Sequence, residues 1–317
     1  MVSVGKKLAA IAPAILGAIL FSLSVWVIWG EIQRYGWQNV LDSLQQIPKT
    51  HLIGGFVIMV INYIVITGYD IAAIFYVKES LSPWQSGFVG FLSYSISNSV
   101  GFSVLSGSAI RYRFYRQWGI SNLNIARIIY FCNISFWLGM AGVCGVTFLL
   151  DPLPLPSILR LPFVSVRPLG VICLTFTLGY LILGILSKQM VQLGRWRLPH
   201  VPIGFSLFQI GITGLDWGLS TAIIYLLLPH TEQLDYGNLF SIFLLAQIAG
   251  LLSNIPGGLG VFETIILFGL TPIFSSVTIL GALLGYRVIY YWIPLSVSAL
   301  AIGIYEVYRH LQPKNPS

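Results

Sequence analysis

Charge is scarce in this sequence: 9% of its 317 residues are Asp, Glu, Lys or Arg against 56% hydrophobic, with a mean hydropathy of +0.84. A water-soluble domain of this length has no core large enough for that apolar surface, so lipid must be the solvent for much of it. Cysteine and histidine are scarcer still. Cys132, Cys144 and Cys173 lie inside hydrophobic runs without ligand or disulfide spacing, and His51, His200, His230 and His310 stand alone at run boundaries. Neither a metal site nor a disulfide framework is expected. Long polar gaps are missing too, which leaves no separate soluble domain. Pro256–Gly260 lacks the Lys-Ser/Thr ending of a phosphate-binding loop, and no cofactor is expected. The net charge of +7 comes from cations at the ends of apolar runs, not from a basic stripe with interleaved aromatics. Nucleic acid is therefore not an expected partner.

What the sequence does have is a series of apolar stretches of membrane-crossing length. Full crossings are predicted at 8–29, 52–77, 122–150, 168–187, 203–228 and 276–308. The first follows Lys6 and Lys7, but it is too long for a signal-peptide core and no small-residue cleavage site follows, so it reads as a retained helix. Residues 84–105 and 239–270 are apolar but interrupted, by Ser97-Asn98-Ser99-Val100-Gly101 and by Ser253-Asn254-Ile255-Pro256-Gly257-Gly258-Leu259-Gly260. Such breaks expose backbone groups that hydrocarbon cannot satisfy, so each stretch is predicted to be a re-entrant hairpin of two half-helices. The expected fold class is an all-α polytopic membrane protein, one membrane domain over residues 1–317, with six full crossings and two re-entrant helical hairpins. In this topology Lys6, Lys7, Lys78, Arg111, Arg113, Arg116, Lys188, Arg195, Arg197, Arg309 and Lys314 share one side, against Arg34, Lys49, Arg160 and Arg167 on the other. The positive-inside rule then puts both termini in the cytoplasm.

The two halves repeat one another. Ile66-Thr67-Gly68-Tyr69-Asp70 recurs as Ile212-Thr213-Gly214-Leu215-Asp216, Ser97-Asn98 as Ser253-Asn254, and Arg127-Ile128-Ile129-Tyr130-Phe131 as Arg287-Val288-Ile289-Tyr290-Tyr291. The order is kept while the offset drifts from 146 to 156 to 160 residues. Repeat 1 covers about 8–150 and repeat 2 about 168–308, and an odd number of crossings in each inverts the second copy. This inverted-topology internal repeat is the plan of alternating-access carriers, whose sites lie at the repeat interface near broken helices.

Ionisable groups inside hydrocarbon cost at least about 2.5–3.5 kcal/mol each, which makes Asp70, Arg127, Asp216, Glu263 and Arg287 candidates for function. Two Asp and two Arg at related places predict paired charges that can exchange partners. Asn98 and Asn254 mark the breaks, and Gly257 and Gly258 allow a tight turn and close approach of a ligand. A half-helix starting after Gly260 points free N–H groups toward an anion. Arg111, Arg113 and Arg116, in a Ser/Gly/Tyr-rich segment, suit anionic lipid heads. Asp70, Asp216 and Glu263 are candidates for proton or ion coupling. Each reading has a structural counterpart: fixed ion pairs, glycines that only let helices pack, and a plain cytoplasmic anchor. Carboxylates are present without a His or Ser constellation, so no catalytic residue is assigned.

Gly107-Ser108-Ala109-Ile110-Arg111-Tyr112-Arg113 and Asn254-Ile255-Pro256-Gly257-Gly258-Leu259-Gly260-Val261-Phe262-Glu263 resemble the two signature segments of the lysylphosphatidylglycerol synthase transmembrane-region family, also called flippase-like proteins. The resemblance spans nearly the whole chain. It implies a multi-pass protein of the bacterial inner membrane that moves a lipid, or assists lipid handling, between leaflets. In full-length synthases an aminoacyl-transfer domain follows this region; here Ser317 comes a few residues past the last helix, so enzymatic activity is not expected. Membrane lipids with anionic headgroups are the expected partners, with a homo-oligomer or a lipid-synthase partner left open. Three rivals stay open at this point: a carrier for a small solute or ion, a non-transporting subunit of a lipid- or glycan-modifying complex, and a membrane-embedded enzyme.

Overall fold

The computed structural model describes residues 45–100, 103–153, 164–186, 191–193, 196–198, 201–253, 258 and 260–311, together with Gln38 and Asp42. Its helices are α1 (Lys49–Val77), α2 (Pro83–Val100), α3 (Ser103–Gln117), α4 (Asn122–Leu150), α5 (Arg167–Leu186), α6 (Ile203–Leu227), α7 (Tyr236–Leu252), α8 (Val261–Leu270), α9 (Ser276–Tyr286) and α10 (Ile293–Leu311). A π-helical turn, Arg287–Trp292, joins α9 to α10, and a small antiparallel pair, β1 (Val191–Leu193) and β2 (Trp196–Leu198), stands between α5 and α6.

Five segments are long and apolar enough to cross a membrane: α1, α4, α5, α6 and the continuous run Ser276–Tyr308. Their bounds follow the predicted crossings from 52–77 onward within a few residues, because hydropathy over about 20 residues leaves little choice of helix length. The predicted crossing at 8–29 lies outside the described residues. Local chemistry sets the ends. The Ser121 hydroxyl accepts from the Asn124 N–H at 3.2 Å to start α4, Asp235 accepts from Gly237 at 2.8 Å to start α7, and Ser275 accepts from Thr278 at 3.2 Å to start α9.

The two interrupted stretches fold back on themselves. In the first, Phe88 meets Phe114 edge-on at 5.7 Å and the Ser106 hydroxyl donates to Ser97 at 3.3 Å, so α2 and α3 run antiparallel. In the second, Gly250 lies against Gly258 and Phe243 against Phe262, which makes α7 and α8 antiparallel as well. The reversal in the first hairpin comes later than its sequence indicates: Ser97, Asn98, Ser99 and Val100 all belong to α2, and α3 extends to Gln117. Serine hydroxyls explain the difference. Ser95 donates to Phe91 O at 2.7 Å and Ser99 to Ser95 O at 3.0 Å, so these side chains bond back to their own helix instead of breaking it. The second reversal falls where it is predicted, between Leu252 and Val261. Gly258 and Gly260 there have φ of +63° and +82°, a region glycine enters without steric cost. Asn254 and Gly257 lie outside the described residues.

At the centre α1 and α6 cross antiparallel. Gly54 faces Leu226, Gly68 faces Ile212, and the Tyr69 hydroxyl shares a 2.6 Å hydrogen bond with Thr213. The repeated motifs Ile66–Asp70 and Ile212–Asp216 therefore pack on each other. α4 closes over this crossing at Gly139, where a Cβ would collide with the Thr213 side chain. Farther out, α5 turns Val171, Ile172, Phe176, Ile182 and Leu186 outward, as suits a helix solvated by acyl chains.

Gly139→Ala forces the α4–α6 contact apart and is expected to destabilise the purified protein by about 1–3 kcal/mol. Gly211→Ala on the same crossing helix, where a Cβ meets nothing within 4 Å, is expected to be neutral or better. Thermal melting of the two detergent-solubilised variants checks both.

Candidate functional site

A fork between Arg111 on α3 and Asp70 on α1 is the first buried ion pair. Nε donates to Oδ1 at 2.9 Å, Nη2 donates to Oδ2 at 2.7 Å, and the Tyr115 hydroxyl adds a third bond to Oδ1 at 2.8 Å. The guanidinium carbon stands 5.0 Å from the centre of the Tyr94 ring, so its face also meets π density. Two glycines make the room. A Cβ on Gly90 would lie 3.2 Å from the Asp70 carboxylate, and one on Gly107 would lie 3.1 Å from an Arg111 nitrogen. The side chains of Arg111 and Asp70 are 6% and 0% exposed.

In the second pair Arg287, at the start of the π-helical turn, donates Nε at 2.9 Å and Nη2 at 2.5 Å to Oε1 of Glu263 in α8. The other oxygen of that carboxylate, Oε2, accepts the Gly260 N–H at 2.7 Å, so Glu263 also caps the half-helix. Tyr291 lies under the Arg287 guanidinium at 4.9 Å. A third pair, Arg113 with Glu306, ties α3 to α10, beside a 3.2 Å bond from the Tyr305 hydroxyl to Gln117.

Between the first two pairs lies a polar cluster around Asp216, which has no ion-pair partner among the described residues. Asn62 donates Nδ2 to the Asp216 backbone oxygen at 2.6 Å and to Ser220 at 3.2 Å, and the Tyr290 hydroxyl donates to Asp216 Oδ1 at 3.3 Å. Pro294 explains the backbone here. Proline has no N–H to offer the carbonyl four residues back, so the α-helical bond to the Tyr290 oxygen cannot form and the turn is wide. The Tyr63 hydroxyl of α1 donates to that oxygen at 3.1 Å. Tyr286 and Tyr290 stack at 5.2 Å, and Tyr286 and Phe262 at 6.1 Å. One buried thread thus runs from Glu263–Arg287 through Tyr290, Asp216 and Asn62 to Tyr69–Thr213 and on to Asp70–Arg111.

Set against the sequence-predicted residues, this thread includes Asp70, Arg111, Asp216, Glu263 and Arg287. Of the two Asp and two Arg expected to pair, Asp70 takes Arg111 and Arg287 takes Glu263, partners from outside that set of four. Arg127 sits early in α4, half-buried, bonding Asn124 at 3.2 Å. Arg116 is exposed and bonds Asn122 at 2.7 Å, while Asn98 is half-buried on α2. Gly258 holds the second reversal by its backbone. Sequence reading missed Asn62, Tyr63, Tyr115, Tyr290 and Glu306, for which the visible signals were Pro294 after a Tyr-Tyr-Trp run and Asn62 inside an apolar crossing. A cavity of about 270 Å³ lined by His51, Tyr225, His230 and Leu234 opens at the Leu227 end of α6, away from both ion pairs.

Long apolar helices that bury arginine forks in their interior define a multi-pass membrane protein. No protein-family model matches the chain. It is 54% identical over 306 residues to an uncharacterized protein of Synechocystis sp., covering 96% of this chain and 95% of that one. It is 28% identical over 315 residues to the inner membrane protein YbhN of Escherichia coli, covering 96% of each. Phosphatidylglycerol lysyltransferase of Staphylococcus haemolyticus is 21% identical over 306 residues, which take up 95% of this chain and 35% of that enzyme. The chain belongs to the lysylphosphatidylglycerol synthase transmembrane-region family and spans about a third of the length of the lysyltransferases it matches.

Removing one partner of a buried pair strands the other charge. Glu263→Ala is expected to cost about 3–5 kcal/mol, and Glu263→Met with Arg287→Met to recover most of it. Thermal melting of the single and double variants measures the difference.

Proposed function

We propose that the protein is a lipid flippase-like carrier that passes an anionic phospholipid headgroup between leaflets by letting it replace carboxylates on buried arginines. The observation that carries this reading is the fork itself: Arg111 grips Asp70 through two parallel N–H bonds, the geometry that two oxygens of a phosphate also satisfy. Arg287 offers a second anion site beside the capped start of α8. Both arginines are occupied by carboxylates, so this arrangement corresponds to the carrier without its headgroup. Relatives named for lysyl transfer to phosphatidylglycerol support a phospholipid as the cargo class.

In this reading the hairpins α2–α3 and α7–α8 are re-entrant and enter from opposite faces, the first from the cytoplasm. The chain then makes six crossings with both termini inside, in a bacterial inner membrane like the one YbhN is named for. Packing of Ile66–Asp70 on Ile212–Asp216 supports an inverted repeat, because a two-fold axis in the membrane plane brings equivalent residues of equivalent helices face to face. Arg113 and Arg116 lie at the end of α3 where headgroups of the cytoplasmic leaflet would be met, with the Arg113–Glu306 pair closing the way inward. We read the protein as a carrier and not an enzyme.

Leaflet-resolved translocation of labelled phosphatidylglycerol in proteoliposomes tests this. Wild type is expected to exchange lipid between leaflets, and Arg287→Gln to slow it at least about tenfold, the equivalent of one charge-assisted hydrogen bond. Transport of a solute without labelled lipid would overturn the reading in favour of a solute carrier. Equal lipid exchange by wild type and empty vesicles would favour a non-transporting subunit.

A further inference from the structure

We propose that Asp216 is a proton-binding site, reached from the Ile203 end of α6 along a buried polar stripe. Ser206, Gln209, Thr213, Asp216 and Ser220 recur at intervals of three and four residues and are all buried, so they share one inward face of α6. Asp216 differs from the other two carboxylates of the thread. Asp70 and Glu263 each hold an arginine, whereas among the described residues Asp216 has no cationic partner. The groups that face its surroundings are Asn62, Tyr63 and Tyr69 from α1, Thr213 and Ser220 from α6, and Tyr286, Tyr290 and Tyr291 from the α9 side. α4 adds Cys132 and Phe136, α2 adds Phe91, and α7 adds Tyr236. None carries a fixed charge. A buried carboxylate with neutral neighbours and no cation is costly as an anion and less so as an acid.

Gln209 is the second, independent observation. It is fully buried two helical turns from Asp216, and neither Oε1 nor Nε2 has a hydrogen-bond partner among the described residues. Its own carbonyl accepts the Thr213 hydroxyl at 2.8 Å, and Thr213 in turn meets Tyr69. A buried amide with both ends open is satisfied by water, and water beside a hydroxyl row conducts protons. The same contacts argue against a metal cation: the Tyr290 hydroxyl presents a donor to the Asp216 carboxylate and the Asn62 amide one to its backbone oxygen, where a cation needs converging acceptors. Protonation removes the acceptor charge that holds Tyr290, and Tyr290 sits in the same π-helical turn as Arg287. Use of the site for coupling rests on the carrier reading; binding of the proton does not.

Infrared difference spectroscopy on the protein reconstituted in phosphatidylglycerol vesicles, stepped from mildly alkaline to mildly acidic buffer, tests this. A protonated-carboxyl band is expected in wild type and absent in Asp216→Asn. In Gln209→Leu the band is expected to remain while its hydrogen–deuterium exchange slows about tenfold or more, the loss of one hydrogen-bonding link. A band unchanged by Asp216→Asn, or no band in wild type, overturns the proposal, and so does a band that appears only when sodium is withdrawn. Should Asp216→Asn fail to fold, Tyr290→Phe decides: a displaced titration midpoint supports the assignment and an unmoved one overturns it. If labelled lipid moves in no variant while the band behaves as expected, the carrier reading falls and the proton site stands.

Discussion

A guanidinium among apolar side chains has to find an anion, and that demand organises this fold. Hydrocarbon offers neither water nor counterions, so each buried arginine must be brought to a carboxylate supplied by another part of the chain. Arg111 draws the first hairpin onto α1 and Arg287 draws the second onto the last long helix. Both hairpins also pack apolar side chains into the core, Ile110 and Phe114 from α3 and Phe262, Ile265 and Ile266 from α8. Charge pairing adds a directional contact to that packing. The glycines at 90 and 107 follow from the same demand, since a fork this deep needs space that side chains would fill.

The wiring of the two halves is not the same. By the repeat offset of 156 residues, Glu263 corresponds to Gly107 and Arg111 to Leu267, so neither charge of one hairpin has a counterpart in the other. In the first half the hairpin brings the cation and the long helix the anion; in the second these roles are exchanged. Asp216, the counterpart of Asp70, is left with hydroxyl and amide neighbours. The two halves differ where electrostatics matters most, while the recurring motifs still meet at the α1–α6 crossing.

Much of this was legible in the sequence, and what was not has a physical reason. Long apolar runs gave the five described crossings because hydropathy and length act locally. The second reversal showed itself through Gly258 and Gly260, which carry positive φ. The first was placed at 97–101 and the helix runs on to Val100, because serines are ambiguous: they can end a helix or bond back along it. Candidate charges were visible as polar letters in apolar runs, yet their partners were not, since pairing depends on which faces meet across a fold. Glu306 was not among the candidate charges, and only the packing of α3 on α10 brings it to Arg113. The contribution of Tyr63 could not be seen at all, because its partner is a backbone carbonyl and not a side chain.

The Tyr290 carbonyl lies in the wide turn before Pro294, whose imide nitrogen has no proton to offer it as an α-helical residue would. The bond it makes with Tyr63 belongs to two segments that are distant along the chain. The defect is thus a mechanical linkage as well as an interruption: a rotation of α1 pulls on the last long helix at the one point where its spiral is already loose, and the arginine three residues earlier moves with it.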